Sequence, residues 1–223
     1  MPPLSTGGWP DHQGYDDVVS GDFDLVLERA LAQRPPRRLE PNGARAAAVL
    51  VPIVAEPEPT LLFTVRTETL PNHKGQISFP GGSVDPSDPT FEAAALRETE
   101  EELGLDRSAV RILGELDTVL THVSGYIITP FIGWIDKHPS LAPNPTEVAR
   151  VLPVPLAHLT GQIRAEPGFS HGGRTYPTEA WIWRGSVIWG VTAHLLRLFF
   201  EVLAEAGLAE APVAPSEPWP LSS

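Results

Sequence analysis

Phe79-Pro80-Gly81-Gly82-Ser83-Val84-Asp85-Pro86-Ser87-Asp88-Pro89-Thr90-Phe91-Glu92-Ala93-Ala94-Ala95-Leu96-Arg97-Glu98-Thr99-Glu100-Glu101-Glu102-Leu103-Gly104-Leu105 is the stretch that organises the chain. Its first half is a Gly/Pro/Asp loop. Its second half reads as a helix over 91–103, with Thr90 or Asp88 as N-cap, Pro89 near the first turn and Gly104 where a C-cap belongs. The i, i+3, i+4 spacing puts Glu98, Glu101 and Glu102 on one face. Leu96 and Leu103 fall on the other side, toward a core, while Ala94 and Ala95 leave room for a backbone to approach. A glutamate run is ordinarily a solvated face. Here, however, no Lys or Arg follows any of the three glutamates by four residues. Glu98 and Glu102 repel each other at i, i+4. The cluster also sits in the last turns, where the helix dipole disfavours anions. A divalent cation would offset both penalties, and hard oxygen ligands in an incomplete cage suit Mg2+ or Mn2+ completed by water and a substrate phosphate.

The segment Arg97-Glu98-Thr99-Glu100-Glu101-Glu102-Leu103-Gly104-Leu105 after Gly81-Gly82 resembles the Nudix box, G-x5-E-x7-R-E-U-x-E-E-x-G-U. It departs from the pattern in three places. The interval from Gly82 to Arg97 is one residue longer, Pro89 stands eight before Arg97 with Asp88 as the nearest acid, and Thr99 replaces an aliphatic residue. Leu61-Leu62-Phe63-Thr64-Val65-Arg66-Thr67, leading to His73-Lys74-Gly75-Gln76-Ile77-Ser78-Phe79, is similar to the signature that precedes the box in the coenzyme A pyrophosphatase subfamily. That subfamily's Asp-Pro-x-Asp insert matches Asp85-Pro86-Ser87-Asp88 and accounts for the extra residue. Asn144-Pro145-Thr146-Glu147-Val148, Val154-Pro155-Leu156 and Ile188-Trp189-Gly190-Val191-Thr192-Ala193 fit as well, so the resemblance spans residues 45 to 200.

Composition narrows the function classes. The 223 residues are long for one compact domain and short for two, and 42% are hydrophobic, enough for a sizeable core. There is no cysteine, which removes disulfides and thiol chemistry. Acidic residues outnumber basic ones 28 to 16, so a nucleic-acid partner is not expected. No apolar run is long enough for a membrane span, and the N-terminus shows no signal peptide, so a cytoplasmic protein is expected.

Along the chain, residues 1–43 read as an extension carrying one helix over 23–32, ended by Pro35-Pro36. Strands are expected over 46–54, with Pro52 marking a bulge or an edge, and over 60–66 and 76–79. After the box, strands are expected over 110–119, 126–135 and 148–154, then a short helical turn over 155–159. Segments 163–169 and 175–183 are expected to pair across His171-Gly172-Gly173. A long amphipathic helix covers 187–206, and 207–223 is a Pro-rich tail. Deleting residues 210–223 is expected to leave activity nearly intact, because they show no periodic apolar face; a large loss of soluble protein would show that Trp219 or its neighbours dock on the core. The pattern indicates an α+β class fold, a mixed β-sheet between helices. That is also the Nudix-like α/β/α sandwich that the resemblance implies, as a Nudix hydrolase domain over 44–206.

The activity the resemblance implies is metal-dependent hydrolysis of the pyrophosphate linkage of coenzyme A or its derivatives, to 4'-phosphopantetheine and adenosine 3',5'-bisphosphate. The alternatives are a pyrophosphatase for another nucleoside diphosphate derivative, such as a dinucleotide or a nucleotide sugar, and a non-catalytic nucleotide-sensing module. Retention of all three glutamates argues against the last. Glu98 and Glu102 are the expected ligands of Mg2+ or Mn2+, Glu101 is a third ligand or the base, and Glu147 is a base from outside the box. Gly81 and Gly82 let backbone groups approach phosphate and metal. Arg97 is expected to orient Glu101, and Glu100 to be solvated. Arg66, His73 and Lys74 are candidates for the phosphates of coenzyme A. The tryptophans read as core or interface anchors. The expected partner is a small molecule, and the expected state a monomer or homodimer.

Overall fold

In a computed structural model, residues 22–40, 43–68, 75–121, 125–159, 163–171 and 174–212 are described, with 163–171 and 174–179 as backbone only. The elements in order are helix α1 (Phe23–Gln33), strands β1 (Arg45–Val54), β2 (Thr60–Arg66), β3 (Ile77–Ser78) and β4 (Gly81–Ser83), then helix α2 (Phe91–Leu103). Strands β5 (Arg111–Glu115), β6 (Val119–Leu120), β7 (Tyr126–Ile135) and β8 (Val148–Pro155) follow, then β9 (Ile163–His171), β10 (Arg174–Trp183), β11 (Ser186–Trp189) and helix α3 (Val191–Glu205).

Strands β1 to β8 form one mixed sheet around the order β3-β2-β1-β7-β5, with β4 also on β1, β6 on β7 and β8 on β2. The spine is a parallel pair, β1 with β7, in register from Arg45↔Tyr126 to Val54↔Ile135. Side chains alternate across a strand, and here the alternation separates two cores. Ala48, Leu50 and Phe131 pack with Ala94 and Ala95 of α2. Val51, Ile53 and Ile132 face the opposite way, into the larger cluster with Phe23, Leu27 and Leu31 of α1 and the apolar stripe of α3. The result is the expected helix–sheet–helix sandwich.

Pro52 lies inside the sheet without breaking a bond. Leu50 N–H donates to Pro80 O on the side of β1 away from β7. Two residues on, Pro52 turns its missing N–H to that same side, between the β4 pairings at 47–49 and the β2 pairings that start at Ile53.

Three expectations are corrected. The glycine loop is partly strand, since Gly81–Ser83 pairs with β1. The long last helix begins at Val191, not 187, because Val187 and Trp189 alternate with buried Ile188 in a strand paired to β10, and Gly190 with φ 65° ends that strand. The strand expected over 110–119 is two short ones, interrupted where Asp117 turns to accept from Arg37 N at 3.0 Å and Arg37 Nε at 3.1 Å. The 163–169 and 175–183 pairing is as expected, as β9 on β10. Trp181 is a core anchor, fully buried and stacked on Phe200 at 4.8 Å. Trp189 is 38% exposed. No helix among the described residues is long and apolar enough to cross a membrane.

Candidate active site

Helix α2 is capped as its sequence indicates. Thr90 Oγ1 accepts from Ala93 N, and Gly104 takes the left-handed conformation at φ 63°. Its C-terminal carbonyls are met by an incoming loop: Ala142 N donates to Leu103 O at 2.8 Å and Asn144 N to Glu102 O at 2.9 Å. Thr67 N then donates to Glu147 O at 3.0 Å. The end of β2, the end of α2 and the Glu147 loop are thereby tied together.

The three glutamates lie along one side of the helix but differ in burial. Glu102 is buried at 5% exposure, and its Oε2 accepts from Gly81 N at 3.3 Å. Burial pushes its carboxyl up from the ordinary 4.5 to about 7, against the pull of the Gly81 N–H and the Arg66 charge. Glu98, with a side chain 20% exposed, is also raised, mainly by burial and against the pull of Arg97. The charge of Glu147 adds to the rise of both. Glu101 has a side chain 58% exposed and accepts from Arg97 Nη1 at 3.2 Å. The cause of this split is Ala94, Ala95 and Thr99, which turn the Glu98–Glu102 edge of the helix onto the sheet. Glu100 points away from the site but is ion-paired to Arg107, not merely solvated.

Arg97 does more than orient Glu101. Its Nε and Nη2 grip Asp88 at 2.9 Å each, Nη1 also reaches Glu98 at 3.0 Å, and Nη2 reaches Ser83 O at 3.2 Å. This fork holds the Asp88 carboxyl down to about 2. The Asp-Pro-Ser-Asp turn sets Asp88 in place: Asp85 Oδ1 accepts from Ser87 N and Oγ, and Asp88 Oδ2 accepts from Asp85 N. Asp88, one residue before Pro89, is thus the carboxylate that Arg97 holds beside the box. The sequence offers Asp88 as the nearest acid, as a member of the insert and as an N-cap candidate, a role that Thr90 takes; its pairing with Arg97 depends on the turn. The role of Asn144 was missed. Its Nδ2 reaches Glu147 Oε1 at 3.4 Å, while its Oδ1 accepts from Thr146 N and Oγ1.

Gly81 and Gly82 have different neighbours. Gly81 has φ 145°, and a Cβ there would lie 2.4 Å from Ala48 O. A Cβ on Gly82 would instead lie 2.5 Å from Glu98 Oε2. Arg66 ends β2, and its N–H donates to Gln76 O at 3.0 Å. Its Nε is buried with no hydrogen-bond partner among the described residues. His73 and Lys74 lie outside the described residues.

No three Asp, Glu or His side chains among the described residues are already gathered as a metal cage. Two observations nevertheless fit a divalent cation against Glu98 and Glu102. Glycine at 82 keeps clear the space in front of Glu98, and a cation would relieve the penalty of ionising buried Glu102. Glu98 and Glu101 both accept from Arg97 Nη1, so a cation there would compete with that guanidinium for both carboxylates.

The model of the NUDIX domain family matches residues 44–169, which include Arg66, Gly81, Gly82, Glu98, Glu101, Glu102 and Glu147. The chain belongs to the NUDIX domain family. NudL of Photorhabdus laumondii, an uncharacterized Nudix hydrolase, is 41% identical over 163 residues, covering 73% of this chain and 86% of its own length. A NudL of Shigella flexneri serotype 5b is 38% identical over 191 residues, covering 82% and 94%. Among solved structures, a Nudix hydrolase of M. smegmatis, RenU, is 25% identical and covers 50% of this chain and 70% of its own, with a TM-score of 0.41. Nudix hydrolases generally use divalent metal ions and act on small molecules.

Proposed function

We propose that this Nudix hydrolase cleaves the pyrophosphate linkage of coenzyme A or its derivatives, giving 4'-phosphopantetheine and adenosine 3',5'-bisphosphate. Residues 44–206 are the hydrolase domain, and α1, from the extension before it, braces the sheet. The observation that carries this reading is Arg66. Its buried Nε has no partner among the described residues, and its charge acts on Glu102 from the end of β2. Its backbone is bonded to Gln76, the end of the segment that resembles the coenzyme A subfamily. An orphaned cationic donor there suits a phosphate oxygen.

Glu98 and Glu102 are the residues that would hold Mg2+ or Mn2+, with the Gly82 backbone next to them. Such a cation withdraws charge from phosphoanhydride oxygens and acidifies water. Glu147, positioned by Asn144, receives the proton of the attacking water at its carboxylate; Glu101 is the alternative base, from the solvent side. Arg97 fixes Glu98 and the Asp88 turn, and Gly81 fixes Glu102. Arg66, with His73 and Lys74, neutralises substrate phosphates in a chain of net charge −12.

The test is kcat/KM for coenzyme A, dephospho-coenzyme A, an adenine dinucleotide and a nucleotide sugar, with Mg2+, with Mn2+ and with chelator. One charge-assisted phosphate contact contributes about 1.5–3 kcal/mol, so dephospho-coenzyme A is expected to be poorer by about one to two orders of magnitude. Arg66→Ala or Lys74→Ala is expected to narrow that gap. Preference for the dinucleotide or nucleotide sugar would remove the coenzyme A reading and leave a Nudix hydrolase. No turnover of any of the four would favour the sensing module.

A further inference from the structure

Strands β9, β10 and β11 form a sheet of their own, in the order β11-β10-β9. β11 pairs only with the last part of β10, Ala180 to Trp183. Beyond that level β9 and β10 continue as a two-stranded ladder to His171↔Arg174. Two strands alone are marginal in water. Among the described residues no strand pairs with the outer edge of β9.

The prolines show which backbone groups that edge offers. Pro167 and Pro177 stand opposite each other in the register. Neither has an N–H, so the pair exchanges no hydrogen bonds. Alternation along an antiparallel ladder makes Ala165↔Glu179 and Ile163↔Trp181 pairs of the same kind. The N–H and C=O of Ile163 and Ala165, and the C=O of Pro167, therefore point away from β10 to the open edge. The turn at Arg184-Gly185 gives the same phase from the other side. Its closing pair Trp183↔Ser186 exchanges bonds, so Trp181↔Ile188 does too, and the Trp181 backbone faces β11. After Pro167 the register shifts, with Gly168 as the extra residue on β9. A bulge bends its strand, so the regular part of the edge ends at Pro167.

A regular unpaired edge invites another strand, and this one is complementary to itself. Set antiparallel to a second copy with Ala165 opposite Ala165, Ile163-Arg164-Ala165-Glu166-Pro167 brings Arg164 opposite Glu166 on both sides of the two-fold axis. Ala165 exchanges both outward bonds with its counterpart, and Ile163 N–H donates to the Pro167 carbonyl at the end of the ladder. Centring on 164 or 166 instead would set Arg against Arg or Glu against Glu. Residues 163–189 hold three Arg and two Glu in a chain of net charge −12, so this sheet carries none of the excess negative charge that opposes association between copies.

We propose that two copies of this chain pair edge to edge through β9 in this register, joining their small sheets into one. Each body meets its own β9–β10 ladder at the Ile163 end, so the antiparallel sense sets the two bodies at opposite ends of the joint ladder. A contact this short makes a weak, reversible dimer.

The chain has no cysteine, so Ala165→Cys supplies a single thiol. Counterparts in a bond-exchanging pair have Cα atoms about 5.5 Å apart, within disulfide reach. Mild oxidation is expected to link this variant into covalent dimers. Glu166→Cys, whose counterparts sit diagonally at about 7–8 Å, is expected to link at least about tenfold more slowly. Sedimentation over about 1–500 µM reads the reversible dimer. Arg164→Glu and Glu166→Arg are each expected to weaken it about tenfold, because each sets like charges opposite twice, and the two together to restore it within about twofold. Glu166→Arg decides most, since it lowers the net negative charge and would strengthen an unspecific association. Ala165→Pro removes the exchanged donor without losing a bond to β10, so it is expected to abolish the dimer at nearly unchanged Tm. A wild type that stays monomeric throughout would overturn the proposal. So would a dimer that Glu166→Arg strengthens, or equal linking at 165 and 166, either of which would put the contact elsewhere on the surface.

Discussion

Glu98→Gln and Glu102→Gln are each expected to lower kcat at least about a hundredfold, because a metal Lewis acid contributes several kcal/mol to such a transition state. The two variants differ in what they do to the metal-free protein. Glu102 is buried, and its carboxyl is raised from 4.5 to about 7. The folded state therefore holds a proton that the unfolded state has released between those pH values. The stabilisation is fully present below pH 4.5 and is lost as pH rises through 7, up to about 3 kcal/mol in chelator. Glutamine at 102 stays neutral and still accepts from Gly81 N. The variant is therefore expected to lose most of this pH dependence and to be the more stable protein at pH 8 without metal. Added Mg2+ or Mn2+ is expected to raise Tm of the wild type at pH 8 and to have little effect on the variant. Denaturation in chelator from pH 4.5 to 8, with kcat in parallel, reads both effects. Near-wild-type turnover in both variants would sink the metal assignment, and a metal-free wild type whose stability does not fall over that range would sink the burial argument.

What the sequence made legible follows the reach of each signal. The caps of α2 were readable because Thr90 and Gly104 act on their own helix ends within a few residues. The sandwich was readable from apolar periodicity and from resemblance together. The orientation of the glutamates was not, because i, i+3, i+4 spacing gives a face but not what that face meets. Three small or short side chains, Ala94, Ala95 and Thr99, decided it by letting α2 settle on β1 with Glu102 inward. Helical periodicity overrode the strand Ser186–Trp189, because a short apolar run before a helix cannot be assigned by period alone. Asp88 and Asn144 act through turns that bring them to Arg97 and Glu147, and only the folded loops show those contacts.

The two adjacent glycines predict opposite outcomes for one substitution. Alanine at 82 puts its Cβ 2.5 Å from Oε2 and 2.6 Å from Cδ of Glu98, which is the mobile end of a side chain. The carboxylate can swing aside, so the fold is expected to survive with Tm within a few degrees of wild type. The displaced carboxylate then no longer lies over Gly82, and a displacement of about 1 Å costs on the order of a hundredfold in rate. Alanine at 81 meets backbone instead, at 2.4 Å from Ala48 O and 2.6 Å from Val49 Cα, at φ 145°. Neither atom can move without shifting β1, the sheet's central strand. Overpacking and backbone strain each cost about 1–3 kcal/mol, so Gly81→Ala is expected to fall mainly in stability. Measuring kcat, metal affinity and Tm on both variants separates the cases. Gly82→Ala should lose kcat and metal affinity at near-constant Tm, and Gly81→Ala should lose Tm first. Wild-type kcat in Gly82→Ala would show that the position of Glu98 over Gly82 does not matter to the reaction, and the carboxylate pair would then have to be sought between Glu102 and Glu147.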